Sequence, residues 1–81
     1  MQNSLKFYRE VNFMIINSIK ELGNLIKTIR KAQGLTQTDL AAAAGVGIRF
    51  IVDLENGKET AQLGKALNIL MMLGLKVNVG E

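Results

Sequence analysis

Residues Leu35 to Gly57, LTQTDLAAAAGVGIRFIVDLENG, constrain the fold of this chain more than any other stretch. Thr36 is a residue type that caps helix N-termini, and Gln37 to Ala43 is a short run of helix formers. Gly45 supplies a sharp turn. Ile48 to Glu55 then reads as a second short helix, closed by Asn56-Gly57. The apolar residues fall where two crossed helices need them. Leu40 and Ala41 line the inner face of the first helix, Val46 follows the turn, and Ile51 and Leu54 line the inner face of the second. Ala41 suits by its size, because two backbones meeting beside a tight turn leave little room for a larger side chain. Such a pair is a helix-turn-helix, which holds its second helix out toward a DNA major groove. Helix pairs with alanines and a glycine turn also occur in ordinary all-α cores. The joint spacing of Gln37, Leu40, Ala41, Gly45, Val46, Ile51 and Leu54 favours the DNA-binding form.

The flanking segments extend this into an all-α domain. Ser18-Ile-Lys-Glu21 is a capping-box pattern, so a helix is expected to begin there. Ile19, Leu22, Leu25, Ile26, Ile29 and Ala32 recur at three- and four-residue steps to about Gln33, and Gly34 ends the run. Beyond Gly57, Lys58 and Glu59 form a connector and Thr60 is expected to cap a last helix. Its core stripe is Leu63, Ala66, Leu67, Leu70 and Leu73, while Ile69, Met71 and Met72 carry apolar character round other faces. Gly74 stops it. Leu75-Lys-Val-Asn-Val79 alternates like a half-buried strand, yet nothing between Ser18 and Gly74 offers it a partner. Pairing with the same strand of a two-fold mate solves this, with Ile69, Met72, Leu75, Val77 and Val79 as dimer residues. A frayed tail is the alternative. Residues 1–14 read as an N-terminal arm or an additional strand, and residues 15–79 as the domain.

The chain has 81 residues, no Cys and no His. Disulfides and the usual zinc sites are excluded, as are thiol and imidazole catalysis. A domain this short often needs a staple or a partner, and 48% of its residues are apolar, so association is expected. No apolar run reaches the roughly 18 residues that span a bilayer, and no secretory signal is visible. The sequence predicts a cytoplasmic protein with no membrane partner, no cofactor and no enzymatic activity. Its formal charge is +3, which suits nucleic acid. Between Ser18 and Thr60 the bases barely outnumber the acids, so one copy binds phosphate weakly and a dimer doubles the contacts.

With Ile51 and Leu54 pointing inward, the second helix turns Gly47, Ile48, Arg49, Val52 and Asp53 toward the groove. Arg49 is the strongest base-reading candidate, because its planar fork makes two hydrogen bonds to guanine O6 and N7. Ile48 and Val52 suit thymine methyl groups. Asp53 either accepts from a cytosine amine or, the preferred reading, holds Arg49 as its i+4 partner. Thr36 and Gln37 open the supporting helix, where free N–H groups favour a phosphate. Asn56 and Lys58, just past the second helix, are placed for another. Arg30 and Glu55 are expected to form a partly buried ion pair that is structural.

From Leu35-Thr-Gln to Leu54-Glu-Asn-Gly57 the chain resembles the Xre/Cro helix-turn-helix regulators, whose fold is lambda-repressor-like. By that resemblance Arg30 and Glu55 match the family's internal ion pair and Gln37 its phosphate-contacting residue. The continuation GKETAQLGKALNILMMLGLKVNV (Gly57 to Val79) resembles HipB-type antitoxins, in which a last helix and a short terminal strand build the dimer. The resemblance covers Ile15 to Val79. It implies a repressor of its own operon that binds double-stranded operator DNA as a homodimer and pairs with a HipA-like serine/threonine kinase toxin. Two positions depart from the pattern: Gly47 replaces the usual Ser or Thr cap, and Ile48 is unusually apolar for a base-reading site. Only Gly80-Glu81 follow the strand, so no tail-dependent function is expected. A stand-alone phage-type repressor and a DNA-free adaptor on the same scaffold are the alternatives.

Overall fold

The computed structural model describes residues 15–78, and the N-terminal arm, Val79 and Gly80-Glu81 lie outside them. Four helices follow one another: α1 (Ile19–Ala32), α2 (Gln37–Ala44), α3 (Ile48–Glu55) and α4 (Leu63–Met72). Helix α1 packs on α3 and α4, and α2 packs on α3. Leu22, Ile26, Leu40, Ala41, Ile51, Leu54, Ala66, Ile69, Leu70 and Leu73 make one continuous buried core. Every helix contributes to it. No described helix is long and apolar enough to cross a membrane.

Local chemistry sets the helix ends. Ser18 caps α1 by accepting from the Glu21 N–H at 3.1 Å. The Glu21 carboxylate reaches one residue further than a standard capping box and takes the Asn17 N–H at 2.9 Å. All four helices close in one way, with a 6→1 backbone bond over a left-handed glycine. Leu35 N–H reaches Arg30 C=O, Val46 reaches Ala41, Lys58 reaches Asp53 and Leu75 reaches Leu70. The glycines inside these loops are Gly34, Gly45, Gly57 and Gly74. At Gly45, with φ +70°, the residue is required by conformation alone, since no neighbour crowds its Cβ position. A side chain there strains the turn that sets α2 against α3.

Gly23 is required for the opposite reason. Its backbone is ordinary helix, but an added Cβ would stand 2.8 Å from the Leu54 carbonyl carbon and closer still to its oxygen. This contact lets α1 lie directly on the C-terminal end of α3. Gln33 closes the other end of α1 by donating from Nε2 to the Leu73 carbonyl at 2.7 Å.

Three expectations are corrected. Thr60 does not cap α4. Ala61 N–H returns to Lys58 C=O in a turn, and the first α4 bond runs from Ala66 N–H to Gln62 C=O, so Gln62 stands at the cap. Leu63 therefore precedes the packed turns and is exposed. Ile69 takes its place in the stripe. At 2% exposure it belongs to the chain's own core, because α4 turns Ala66, Ile69, Leu70 and Leu73 inward, and so it is no surplus surface for a mate. Residues 75–78 form no strand. A strand is defined by its neighbour's hydrogen bonds, and the described residues of a single chain hold none to pair with. Instead Leu75 and Val77 pack half-buried against the domain core.

Candidate nucleic-acid interface

Helix α3 is amphipathic, and its buried residues are Ile51, Leu54 and Glu55. That anchoring fixes which face is outward. Ile48 is 47% exposed, an unusual position for a β-branched apolar residue. The Arg49 side chain is 82% exposed. Val52 and Asp53 are half-buried at the edge of this face. Gly47 stands at the N-cap with extended backbone and offers no side-chain cap. The first N–H groups of α3 are thus left without a side-chain cap.

Asp53 sits between two cations. Arg49 Nη1 lies 4.0 Å from Oδ1, and Lys58 Nζ lies 3.4 Å from Oδ2. Lys58 reaches back from the loop that follows Gly57, so this carboxylate joins a base-reading candidate to a phosphate candidate. Asn56 is the exposed C-cap of α3 and, with Ser18, Lys20, Glu21, Asn24 and Glu55, lines a shallow depression against the start of α1.

Beneath the exposed face lies a buried polar chain that links three helices. Arg30 Nε donates to Glu55 Oε2 at 2.7 Å and Nη2 donates to Glu55 Oε1 at 3.0 Å. Their side chains are only 8% and 1% exposed. Nη1 donates to the Leu35 carbonyl at 2.7 Å, so the guanidinium also ties down the loop between α1 and α2. The hydrogen bond to Glu55 holds the Arg30 pKa above its ordinary value; burial opposes this and the Glu55 charge adds to it. Gln37 completes the chain by donating from Nε2 to Glu55 Oε1 at 3.1 Å. Its amide is therefore oriented from below, half-buried, rather than free in solvent.

Thr36 is engaged as well. Its hydroxyl accepts from the Asp39 N–H at 2.9 Å, and the Asp39 carboxylate accepts from the Thr36 N–H at 2.9 Å. The Thr36 N–H first, and the Thr36 hydroxyl beside the carboxylate second, hold the Asp39 pKa below the usual carboxylate value. What α2 still offers a phosphate is its first N–H groups, those of Gln37 and Thr38, which no α-helix can satisfy internally. Asp39 escapes sequence reading because a capping box ordinarily carries Glu or Gln at this position. Phe50 also escapes it. This half-buried ring on α3 carries Lys65 of α4 at 5.7 Å from its centroid.

Known proteins share this architecture. The family model described as Helix-turn-helix matches residues 26–79. The chain is 50% identical over 64 residues to an uncharacterized HTH-type transcriptional regulator of Sinorhizobium fredii, covering 79% of this chain and 84% of that protein. It is 37% identical over 60 residues to the ImmF control region 10 kDa protein of Bacillus phage phi105, covering 74% and 67%. Antitoxin HipB of Escherichia coli is 31% identical over 72 residues, covering 89% and 77%. Among solved structures, a chain of the HipA-HipB-O2-O3 complex superposes with a TM-score of 0.74 at 30% identity, covering 85% of this chain and 97% of that one. The four-helix fold, the glycine turn and these likenesses agree, and the chain belongs to the helix-turn-helix family as an Xre-type regulator with antitoxin HipB among its homologues.

Proposed function

We propose that this protein is a sequence-specific DNA-binding repressor that acts as a two-fold dimer, with Ile48, Arg49 and Val52 of α3 reading the major groove. The observation that carries this reading is the outer face of α3. An Arg side chain 82% exposed stands beside an exposed Ile, on a helix held from behind by a buried ion pair. Gly47 leaves room for close approach of the backbone to the base edges. The α2 N-terminus with Gln37, and Asn56 and Lys58 after α3, flank this face as phosphate contacts that set register. Met72, 48% exposed, supplies apolar surface for the mate, continued by the half-buried Leu75 and Val77 and, outside the described residues, by Val79.

The experiment is an equilibrium binding measurement on the DNA upstream of this gene. Half-sites are expected roughly 34 Å apart, one helical turn. Arg49→Ala is expected to cost about 1–3 kcal/mol and to relax preference at one base pair per half-site. Full affinity with unchanged preference in that variant refutes the assignment.

The antitoxin reading supplies the biology: a HipA-like serine/threonine kinase toxin as partner and autoregulation of a shared operon. Its support is the likeness to HipB and to a structure that contains HipA and HipB together. Co-expression with a neighbouring kinase gene and recovery of a complex tests it. The second reading, a stand-alone phage-type repressor, is favoured by the likeness to the phi105 control-region protein. Absence of any such complex selects it.

A further inference from the structure

Helix α1 carries a basic flank that the helix-turn-helix does not use. Lys20, Asn24, Lys27 and Lys31 recur at steps of four, three and four, so at 100° per residue they fall within one narrow arc of the helix. No carboxylate among the described residues lies within ion-pair distance of these lysines, whereas Arg30, Arg49 and Lys58 all have one. The acids nearest the flank are committed elsewhere. Glu21 takes the Asn17 N–H, and Glu55 holds Arg30 and Gln37.

The position of the flank gives it a ligand. By helical phase it borders the side that carries Gly23 and Arg30, the residues that meet the end of α3. At its start, the Lys20 stem lies against Gly57, with Cγ 3.0 Å from where a Cβ on that glycine would stand. Lys20 and Asn24 line the same depression as Asn56. At its far end, Lys31 precedes the Gly34 turn into Thr36 and Gln37. The row thus runs from one candidate phosphate contact to the other, over about 16 Å at 1.5 Å per residue.

We propose that Lys20, Lys27 and Lys31 form an accessory track for the phosphate backbone of duplex DNA, outside the base pairs that α3 reads. The inference rests on the DNA-binding reading above and adds a contact surface to it. Three ammonium groups on flexible stems suit phosphates, which need charge rather than fixed geometry. The track raises affinity for any sequence and leaves base preference to α3.

The test compares the whole protein with the variant Lys20→Gln/Lys27→Gln/Lys31→Gln, since Gln matches Lys in helix propensity and keeps the fold. Circular dichroism melts of both proteins verify this. The probe is a mixed-sequence duplex longer than two helical turns, titrated at several salt concentrations. Each phosphate contact contributes about 0.9 to the slope of log K against log salt. The triple variant is expected to lose about 2–3 units of slope per protomer and at least tenfold in affinity at low salt. A wild-type slope in a folded triple variant overturns the track while leaving the DNA-binding reading intact. Failure of the wild-type protein to bind any duplex, including its own upstream DNA, overturns that reading and the track with it. Retention of the wild-type protein by poly-glutamate that is lost in the variant, while duplex affinity and salt slope stay at wild-type values, overturns the track in favour of an acidic protein partner.

Discussion

Replacing Glu55 by Leu is expected to come close to unfolding the domain. The carboxylate accepts two bonds from Arg30 and one from Gln37. Leucine has a similar volume but no acceptor, so it leaves a guanidinium about 8% exposed with one remaining partner, the Leu35 carbonyl. Removing one partner of a buried pair typically costs about 3–5 kcal/mol, because the other charge stays desolvated. The four-helix domain of residues 15–78 has a total stability of about 3–10 kcal/mol. The substitution therefore removes a large fraction of the margin.

Urea denaturation followed by circular dichroism, at one fixed protein concentration, reads this directly. With a slope near 1 kcal/mol/M for so small a domain, the midpoint should fall by about 3 M or the variant should lack a folded baseline. The double variant Arg30→Met/Glu55→Leu separates lost charge from lost shape. Replacing the whole pair by apolar residues of similar volume is often neutral or stabilising, so it should recover to within about 1 kcal/mol of wild type. A single variant that loses less than about 1 kcal/mol would falsify the claim that this pair is desolvated and locks α1 to α3. A double variant as unstable as the single one would show that packing, not charge, carries the effect.

Three further outcomes are expected. Gly23→Ala should destabilise by about 1–3 kcal/mol in the same urea assay, although Ala is the better helix former, because its Cβ displaces the Leu54 carbonyl; a gain in stability refutes the close approach. Asp39 has a lowered folded-state pKa, so its contribution is present above the unfolded pKa and is lost as pH falls through the folded one. Wild type and Asp39→Asn should therefore differ most in melting temperature near neutral pH and converge below about pH 4, and a gap that persists in acid contradicts the capping role. Asp53→Asn should free Arg49 and Lys58 and tighten binding to mixed-sequence DNA severalfold, within the roughly 1 kcal/mol of exposed ion pairs; weaker binding with a changed preference at one base pair would mark Asp53 as a cytosine reader.

What was legible in the sequence follows from how local each signal is. A helix that closes on a left-handed glycine needs only five or six consecutive residues, so Gly34, Gly45, Gly57 and Gly74 could be read as stops without any knowledge of packing. The inward set Leu40, Ala41, Ile51 and Leu54 was legible for the same reason, because two short helices joined by a fixed turn act as one local unit. Contacts between distant segments were not. Gly23 carries only a weak trace, a glycine inside an otherwise good helix, and nothing in its neighbours names the Leu54 carbonyl. The bond from Gln33 to Leu73 spans forty residues and leaves no local pattern. Ile69 shows how periodicity misleads in an apolar helix: when several phases of α4 are apolar, only the partner surface decides which one is buried. The same limit governs Leu75 to Val79, whose alternation specifies a strand-competent segment but not a strand. Any pairing requires a second backbone, which alternation within one chain does not specify. The outer face of α3 sets the same limit: Ile48 is 47% exposed and gains little from the chain's own core, and the Arg49 side chain, 82% exposed, is held by a 4.0 Å contact with Asp53, so the packing of the single chain does not account for either residue.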